Sequence, residues 1–140
     1  MTDQPVAPSI PSWRFMGFWM ALVMGLVQAL YAIQAVADPV AFALYRGTPL
    51  AAVGDTGWVH TYASRTLFVA LTVGLLLARR DVATLRSVAL LGLVMPVGDA
   101  VIAHEAGAPI SVVARHVGTM LFLVLTYAAL GRWTRRLPRP

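Results

Sequence analysis

The sequence predicts an all-α integral membrane protein, a bundle of four transmembrane helices with a short interfacial helix between helices 1 and 2. Of its 140 residues, 59% are hydrophobic and 12% are charged, with a mean hydropathy of +0.73. A soluble domain is usually about half apolar and a quarter charged. The apolar residues also form four runs of about 20 residues or more, the length that about 30 Å of hydrocarbon requires.

The ends of the four runs carry local signals for helix termini. Asp81 is suited to cap the third helix at its N-terminus, and Pro109 suits the first turn of the fourth. Trp13, Trp58 and Trp133 lie at predicted ends, where amphipathic rings prefer the membrane interface. The predicted spans cover residues 13–37, 59–78, 82–103 and 109–133.

The distribution of arginine predicts the orientation in the membrane. The net charge is +5 and every basic residue is an arginine. Outside the spans, one side has only Arg46 in its loop, and the other has Arg79, Arg80, Arg86, Arg132, Arg135, Arg136 and Arg139. The positive-inside rule then places both termini in the cytoplasm, as in a multi-pass protein of a bacterial cytoplasmic (inner) membrane. We expect a disordered cytoplasmic tail (1–12), a single transmembrane domain (13–133) and a basic cytoplasmic tail (134–140).

The connection between the first and second spans contains the signature of a short helix. In DPVAFALYRG, Asp38 is a candidate N-cap, Pro39 takes the first helical position and Gly47 ends the helix. Phe42 and Tyr45 favour a location in the outer interface. Two interpretations stay open: a connecting interfacial helix, or a lid over a site.

Polar side chains occur at similar depth in all four spans. At 1.5 Å per residue from the outer ends, Asp99 lies about 6–8 Å deep, and Tyr31, Arg65 and His116 lie about 9–10 Å deep. Pro96 removes a backbone donor and frees the carbonyl of Gly92, so the third helix should kink below Asp99. The full set, with two residues at the outer mouth, comprises Gln28, Tyr31, Tyr62, Arg65, Asp99, His104, Glu105, Arg115 and His116.

Ionisable groups within a membrane span are costly, about 2.5–3.5 kcal/mol each on insertion scales, so they should face the bundle and pair. Arg65 is the expected partner of Asp99, and Arg115 is its competitor. A structural ion pair between helices is one interpretation. The other is a ligand or reaction site, because the cluster contains more polar groups than one such pair needs.

As a reaction site, the cluster suits acid–base chemistry without a cofactor. We predict catalytic roles for Arg65, Asp99 and His116, because a histidine near a carboxylate in a dry site can transfer protons. The substrate would be a lipophilic small molecule that enters from the lipid bilayer and undergoes isomerisation, epoxide opening or cyclisation. Ligand contacts are assigned to Gln28, Tyr31, Tyr62, His104, Glu105 and Arg115.

Several alternatives are weighed against this hypothesis. A quinone- or lipid-binding protein or an accessory membrane subunit needs no chemistry. A metal site at His60, Asp99, His104, Glu105 and His116 has suitable ligand types but no known spacing, so we predict no metal. Nucleic-acid binding is not expected, because no basic face is interleaved with aromatic residues. Transport would require a small four-helix protein to dimerise; a homo-oligomer is compatible with the sequence.

The chain also resembles a bacterial family catalogued as domain of unknown function 4267. The resemblance rests on RTLFVALTVGLLL in the second span, GDAVIAHEAG in the third and RHVGTMLFLVL in the fourth. It implies a four-helix architecture, makes Arg65, Asp99 and His116 signature residues and implies no activity. A more distant likeness is to DoxX-type four-helix proteins, some of them quinone-linked.

Overall fold

The computed structural model describes residues 15–52 and 54–134, and within these ranges all regular structure is helical. The predicted tail 1–12 and Trp13 lie outside the described residues, as does the basic tail after Thr134. The helices are α1 (Met16–Ala37), α2 (Pro39–Arg46), α3 (Gly57–Arg79), α4 (Val82–Leu91), α5 (Val94–Glu105) and α6 (Ile110–Thr134).

Four segments are long and apolar enough to cross a membrane: Met16–Ala37, Gly57–Arg79, Val82–Glu105 and Ile110–Thr134, with mean hydropathies of 1.5 to 1.8. They confirm the predicted all-α fold with four spans, whose bounds differ from the prediction by three residues or fewer. The protein is therefore a multi-pass membrane protein whose outer helix faces contact the lipid bilayer. The third span consists of two helices, α4 and α5.

The short helix α2 is confirmed, with the termini that the sequence predicted. The Asp38 carboxylate accepts a hydrogen bond from the Ala41 N–H at 2.9 Å, and Pro39 opens the helix. The helix ends at Gly47, which has a left-handed backbone with a φ of 82°. One face of α2 does not lie free at the surface, because Phe42 is buried in a cluster with Val59 and Ala63 of α3.

Gly47 is required both by its backbone and by its neighbours. A Cβ at this position would lie 2.8 Å from Cγ1 of Val112 and 2.9 Å from Cβ of Ala108. The change Gly47→Ala should lower the free energy of unfolding by about 1–3 kcal/mol, since it adds strain at a positive φ. Unfolding by SDS titration in mixed micelles would measure this. Gly74→Ala is the control: no atom lies within 4 Å of its Cβ position, and an equal loss there would contradict the argument.

The membrane-spanning helices pack as two groups that contact each other. α1 packs chiefly on α3, α6 packs on α4 and α5, and α1 also contacts α6. At Gly17 the two helices come close, because a Cβ there would lie 3.1 Å from the backbone of Ala129. The main helix contacts do not include one between α3 and α5. Among its main contacts, α3 therefore meets the third span through α4.

Trp133 lies at the end of α6, as predicted, but its ring is not an interface ring. The side chain is 2% exposed and stacks on Phe15, with ring centroids 5.4 Å apart. Phe18 meets the same ring edge to face at 6.4 Å. The prediction of an interfacial Trp133 was wrong, because this end of the bundle is closed by aromatic side chains of α1 and α6.

The third span breaks one turn before Pro96. α4 ends at Leu91, α5 begins at Val94, and Gly92 and Leu93 form the joint between them. Proline has no N–H to donate to the carbonyl of Gly92. That carbonyl instead accepts from the N–H of Met95 at 3.2 Å, one residue closer along the chain. The third span is thus interrupted where the sequence predicted a kink, and the Gly92 carbonyl keeps a partner.

Candidate functional site

The centre of the polar cluster is an ion pair between Arg46 and Asp99. Arg46 is the last residue of α2, and Asp99 lies in the middle of α5. The side chains are 10% and 25% exposed. The prediction that Asp99 pairs with Arg65 was wrong. Arg46, at the end of α2, reaches Asp99 instead, and Arg65 is left exposed.

Two tyrosine rings enclose the paired guanidinium. The Cζ of Arg46 lies 5.6 Å from the ring centroid of Tyr31 and 5.0 Å from that of Tyr62. Cation–π contact of this kind strengthens when water is excluded. Arg46 is the residue that sequence reasoning missed as part of the site. The signal that pointed to it was the short-helix signature, which places it directly before the terminating Gly47.

His116 lies beneath the ion pair and is 4% exposed. Its ring is within hydrogen-bonding reach of the backbone carbonyl of Arg46, and its Nε2 is buried without a partner. When the neutral ring carries its proton on Nδ1, Nε2 is a free acceptor.

Arg115 and Tyr45 form the outer wall of the same site. The Cζ of Arg115 lies 4.3 Å from the ring centroid of Tyr45. A hydrogen bond from the Tyr31 hydroxyl, together with Arg115, holds the pKa of Tyr45 below its usual value. These groups surround a cavity of about 180 Å³, which we call the head cavity, lined by Tyr31, Tyr45, Arg46, Val112, Arg115, His116 and Thr119.

A second cavity, of about 420 Å³, lies on the other side of Arg46, between α3 and α5. The structure brings Arg65 here, next to both members of the ion pair but without an ion-pair contact to Asp99 in the described chain. Arg46 thus borders both polar cavities. The lining comprises Arg46, Thr48, Trp58, Thr61, Tyr62, Arg65, Asp99 and Ile102.

A third cavity, of about 530 Å³, lies in the bundle and is almost entirely apolar; we call it the tail cavity. Its polar lining includes Gln28 of α1 and Thr119 of α6, and Thr119 also lines the head cavity. The Oε1 of Gln28 is buried without a partner. The joint at Gly92 and the adjacent Pro96 form part of the wall.

The remaining predicted ligand residues are not brought into these cavities. His104 and Glu105 are exposed on the last turn of α5, and neither lines any of the three. His60 is exposed near the start of α3. Within residues 15–52 and 54–134, no three side chains of histidine, cysteine, aspartate or glutamate are grouped so that they could hold a metal ion.

Comparison with known proteins gives a family but no activity. A family model described as Domain of unknown function (DUF4267) matches residues 25–130, which include the ion pair, Arg65 and His116. No curated protein and no solved structure matches the chain. The likeness to DoxX-type proteins stays a prediction. Since the matched region covers most of the chain, with the second and third spans whole and more than half of the first and fourth, this membrane protein belongs to the DUF4267 family.

Proposed function

We propose that this protein binds a lipophilic small molecule in the head cavity and acts on it by cofactor-free acid–base chemistry. The observation that supports the proposal is the Nε2 of His116, which is buried without a partner beside two guanidinium groups. A buried polar atom normally has a hydrogen-bond partner, and one without it indicates a ligand or a reacting group.

His116 is the proposed general base. We propose that its Nδ1 donates to the backbone carbonyl of Arg46, which leaves Nε2 to accept the substrate proton. Arg115 lines the same cavity and is placed to stabilise negative charge that develops on a substrate oxygen. Asp99 becomes a positioning residue, since it holds Arg46 and through it the ring of His116. Arg65 borders the neighbouring cavity, where it is placed to bind substrate.

Proton transfer favours isomerisation or cyclisation over epoxide opening. Epoxide opening needs a nucleophile at the carbon, and the carboxylate of Asp99 is engaged by Arg46. Isomerisation needs only that a base removes a proton and that it is returned to another atom of the substrate, with no change of oxidation state overall. His116 and the Tyr45 hydroxyl are both placed at the head cavity for these two transfers.

Non-catalytic binding is the second candidate function. The observation that favours it is the completeness of the Arg46–Asp99 pair, which with the rings of Tyr31 and Tyr62 is sufficient to lock α2 onto the bundle. On this proposal the protein holds a quinone or lipid, or it serves as an accessory membrane subunit or a homo-oligomer whose charges are structural.

We place both termini in the cytoplasm and the site in the outer half of a bacterial inner membrane. The arginine distribution supports this orientation, and the loops 47–56 and 106–109 contain no basic residue. Arg46, the remaining cation on that side, is neutralised by Asp99. The proposed organisation is a cytoplasmic tail (1–12), one transmembrane domain (13–133) and a basic cytoplasmic tail (134–140).

Mass spectrometry of co-purifying lipophilic molecules tests the proposal. Wild type should retain a specific molecule that His116→Leu loses, because the leucine removes the only polar tip of that side chain. Val117→Leu is the matched control, since Val117 is the next residue of α6, is 54% exposed and lines none of the three cavities. All three proteins are first checked for the same helix content and Tm.

The variant His116→Gln distinguishes proton transfer by His116 from binding of the molecule alone. Glutamine keeps an acceptor but does not take up a proton, so this variant should retain the molecule and fail to convert it. Only bulk phospholipid in every protein, or the same specific molecule in wild type and His116→Leu, would refute binding at the head cavity. Conversion by folded His116→Gln at the wild-type rate would leave binding alone as the function.

A further inference from the structure

The head cavity and the tail cavity adjoin at Thr119. Thr119 lies in the wall of both, and their volumes are about 180 Å³ and 530 Å³. Pockets for drug-sized ligands span about 300–1,000 Å³. The polar groups are gathered at one end, and the lining of the other end is almost entirely apolar. Such a space fits a molecule with one small polar head and a long apolar chain.

The polar atoms that are free at the junction of the two cavities are acceptors. Nε2 of His116 and Oε1 of Gln28 are both buried without a partner. The Thr119 hydroxyl donates its proton to the backbone carbonyl of Arg115 at 3.0 Å, so its oxygen is left only to accept. These residues of α1 and α6 line the two adjoining cavities: His116 the head cavity, Gln28 the tail cavity and Thr119 both.

A head that can only accept hydrogen bonds would leave these atoms unsatisfied. Each unsatisfied buried acceptor costs about 1–3 kcal/mol, and water is scarce at this depth of a membrane. A hydroxyl head donates one proton to an acceptor, and its oxygen accepts from the guanidinium of Arg115. An ether or ketone head of the same size can accept from Arg115, but it has no proton to donate to a buried acceptor.

We infer that the ligand of this site is a long-chain alcohol, with its hydroxyl at the His116–Gln28–Thr119 junction and its chain in the tail cavity. The inference rests on the proposed function and adds the chemical class of the molecule. It also assigns Gln28 a role in recognition, since its amide oxygen lies at the edge of the apolar space where the head must stop.

Farnesol and farnesyl methyl ether provide the test, because they differ only in the hydroxyl proton and one methyl group. Binding of each is measured by titration into protein in nanodiscs. We expect wild type to bind farnesol about tenfold more tightly than the ether, the preference that a membrane hydrogen bond of about 1–2 kcal/mol gives. In Gln28→Leu and in His116→Leu the preference should fall to less than about threefold.

Leu26→Ala is the control, because Leu26 is on the same helix as Gln28 and is 55% exposed on the lipid side; it should keep the full preference. Equal binding of both probes to wild type would overturn the inference and leave the proposed function intact. Binding of neither probe also overturns it. The proposed function fails in addition if wild type co-purifies with nothing but bulk phospholipid, or if His116→Leu retains the specific molecule found with wild type.

Discussion

Replacement of Asp99 by leucine is expected to lower the free energy of unfolding by about 3 kcal/mol or more. The change leaves the guanidinium of Arg46 in a largely buried position without its counter-ion, and loss of one partner from a buried pair typically costs about 3–5 kcal/mol. Arg46→Met should cost a similar amount, since it leaves the carboxylate alone. The double variant should recover most of the loss, because no charge is then stranded.

A double-mutant cycle decides which arginine is the partner of Asp99. Unfolding in SDS-containing mixed micelles gives the free energies for Asp99→Leu combined with Arg46→Met or with Arg65→Met. We expect a coupling above about 1 kcal/mol for the pair with Arg46, and additive effects for the pair with Arg65. Coupling to Arg65 and additivity with Arg46 would support the pairing that the sequence suggested and refute the one in the structure.

Trp133→Ala is expected to destabilise the protein by about 3–5 kcal/mol, the usual cost of deleting a buried aromatic side chain. The indole is almost fully buried and stacked on Phe15, so its removal opens a cavity between α1 and α6. Trp133→Phe should cost less, because it keeps a ring in contact with Phe15 and Phe18. The same SDS unfolding assay measures both variants.

Phe68→Ala is the matched control for Trp133, since the phenyl ring is 70% exposed on the lipid-facing side of α3. Its loss should change the free energy of unfolding by about 0.5 kcal/mol or less. If Trp133→Ala behaved like Phe68→Ala, the indole would be a ring of the membrane interface and not a part of the core.

The sequence was sufficient for the spans and the helix ends because these depend on local properties. Twenty or so apolar residues form a helix wherever they cross a bilayer, since every backbone group must be satisfied within the segment. The Asp81 carboxylate accepts from the N–H of Thr84 at 3.1 Å, as its position before α4 predicted. Asp38, Pro39 and Gly47 likewise act within one turn of α2.

The ion pair was not predictable by the same means, because it depends on how α2 folds back over the bundle. Arg46 and Arg65 are both close enough to the outer end to reach Asp99, and depth alone does not distinguish them. In the sequence, Arg46 was interpreted as a loop charge that sets the membrane topology, so it was not considered as a member of the polar cluster.

The sequence did not show that the Trp133 side chain packs inside the bundle, for a different reason. In a membrane span the residues that face lipid and those that face other helices are alike apolar, so periodicity does not separate the two faces. The cavities were hidden as well, because their volumes follow from helix packing and from the joint in the third span, neither of which a linear pattern contains. The polar cluster itself was visible, since a charge in an apolar run is conspicuous in any sequence.

A small change of angle at the joint of Gly92 and Leu93 would displace the whole of α5 relative to α4. α5 has 12 residues and is about 18 Å long, with Asp99 near its midpoint and Glu105 at its C-terminal end. A change of about 5° at the joint would move that end by about 1.5 Å and Asp99 by about half as much. The joint also borders the tail cavity. A change of its angle would therefore alter the width of that cavity and, at the same time, the contact of the Asp99 carboxylate with Arg46 of α2.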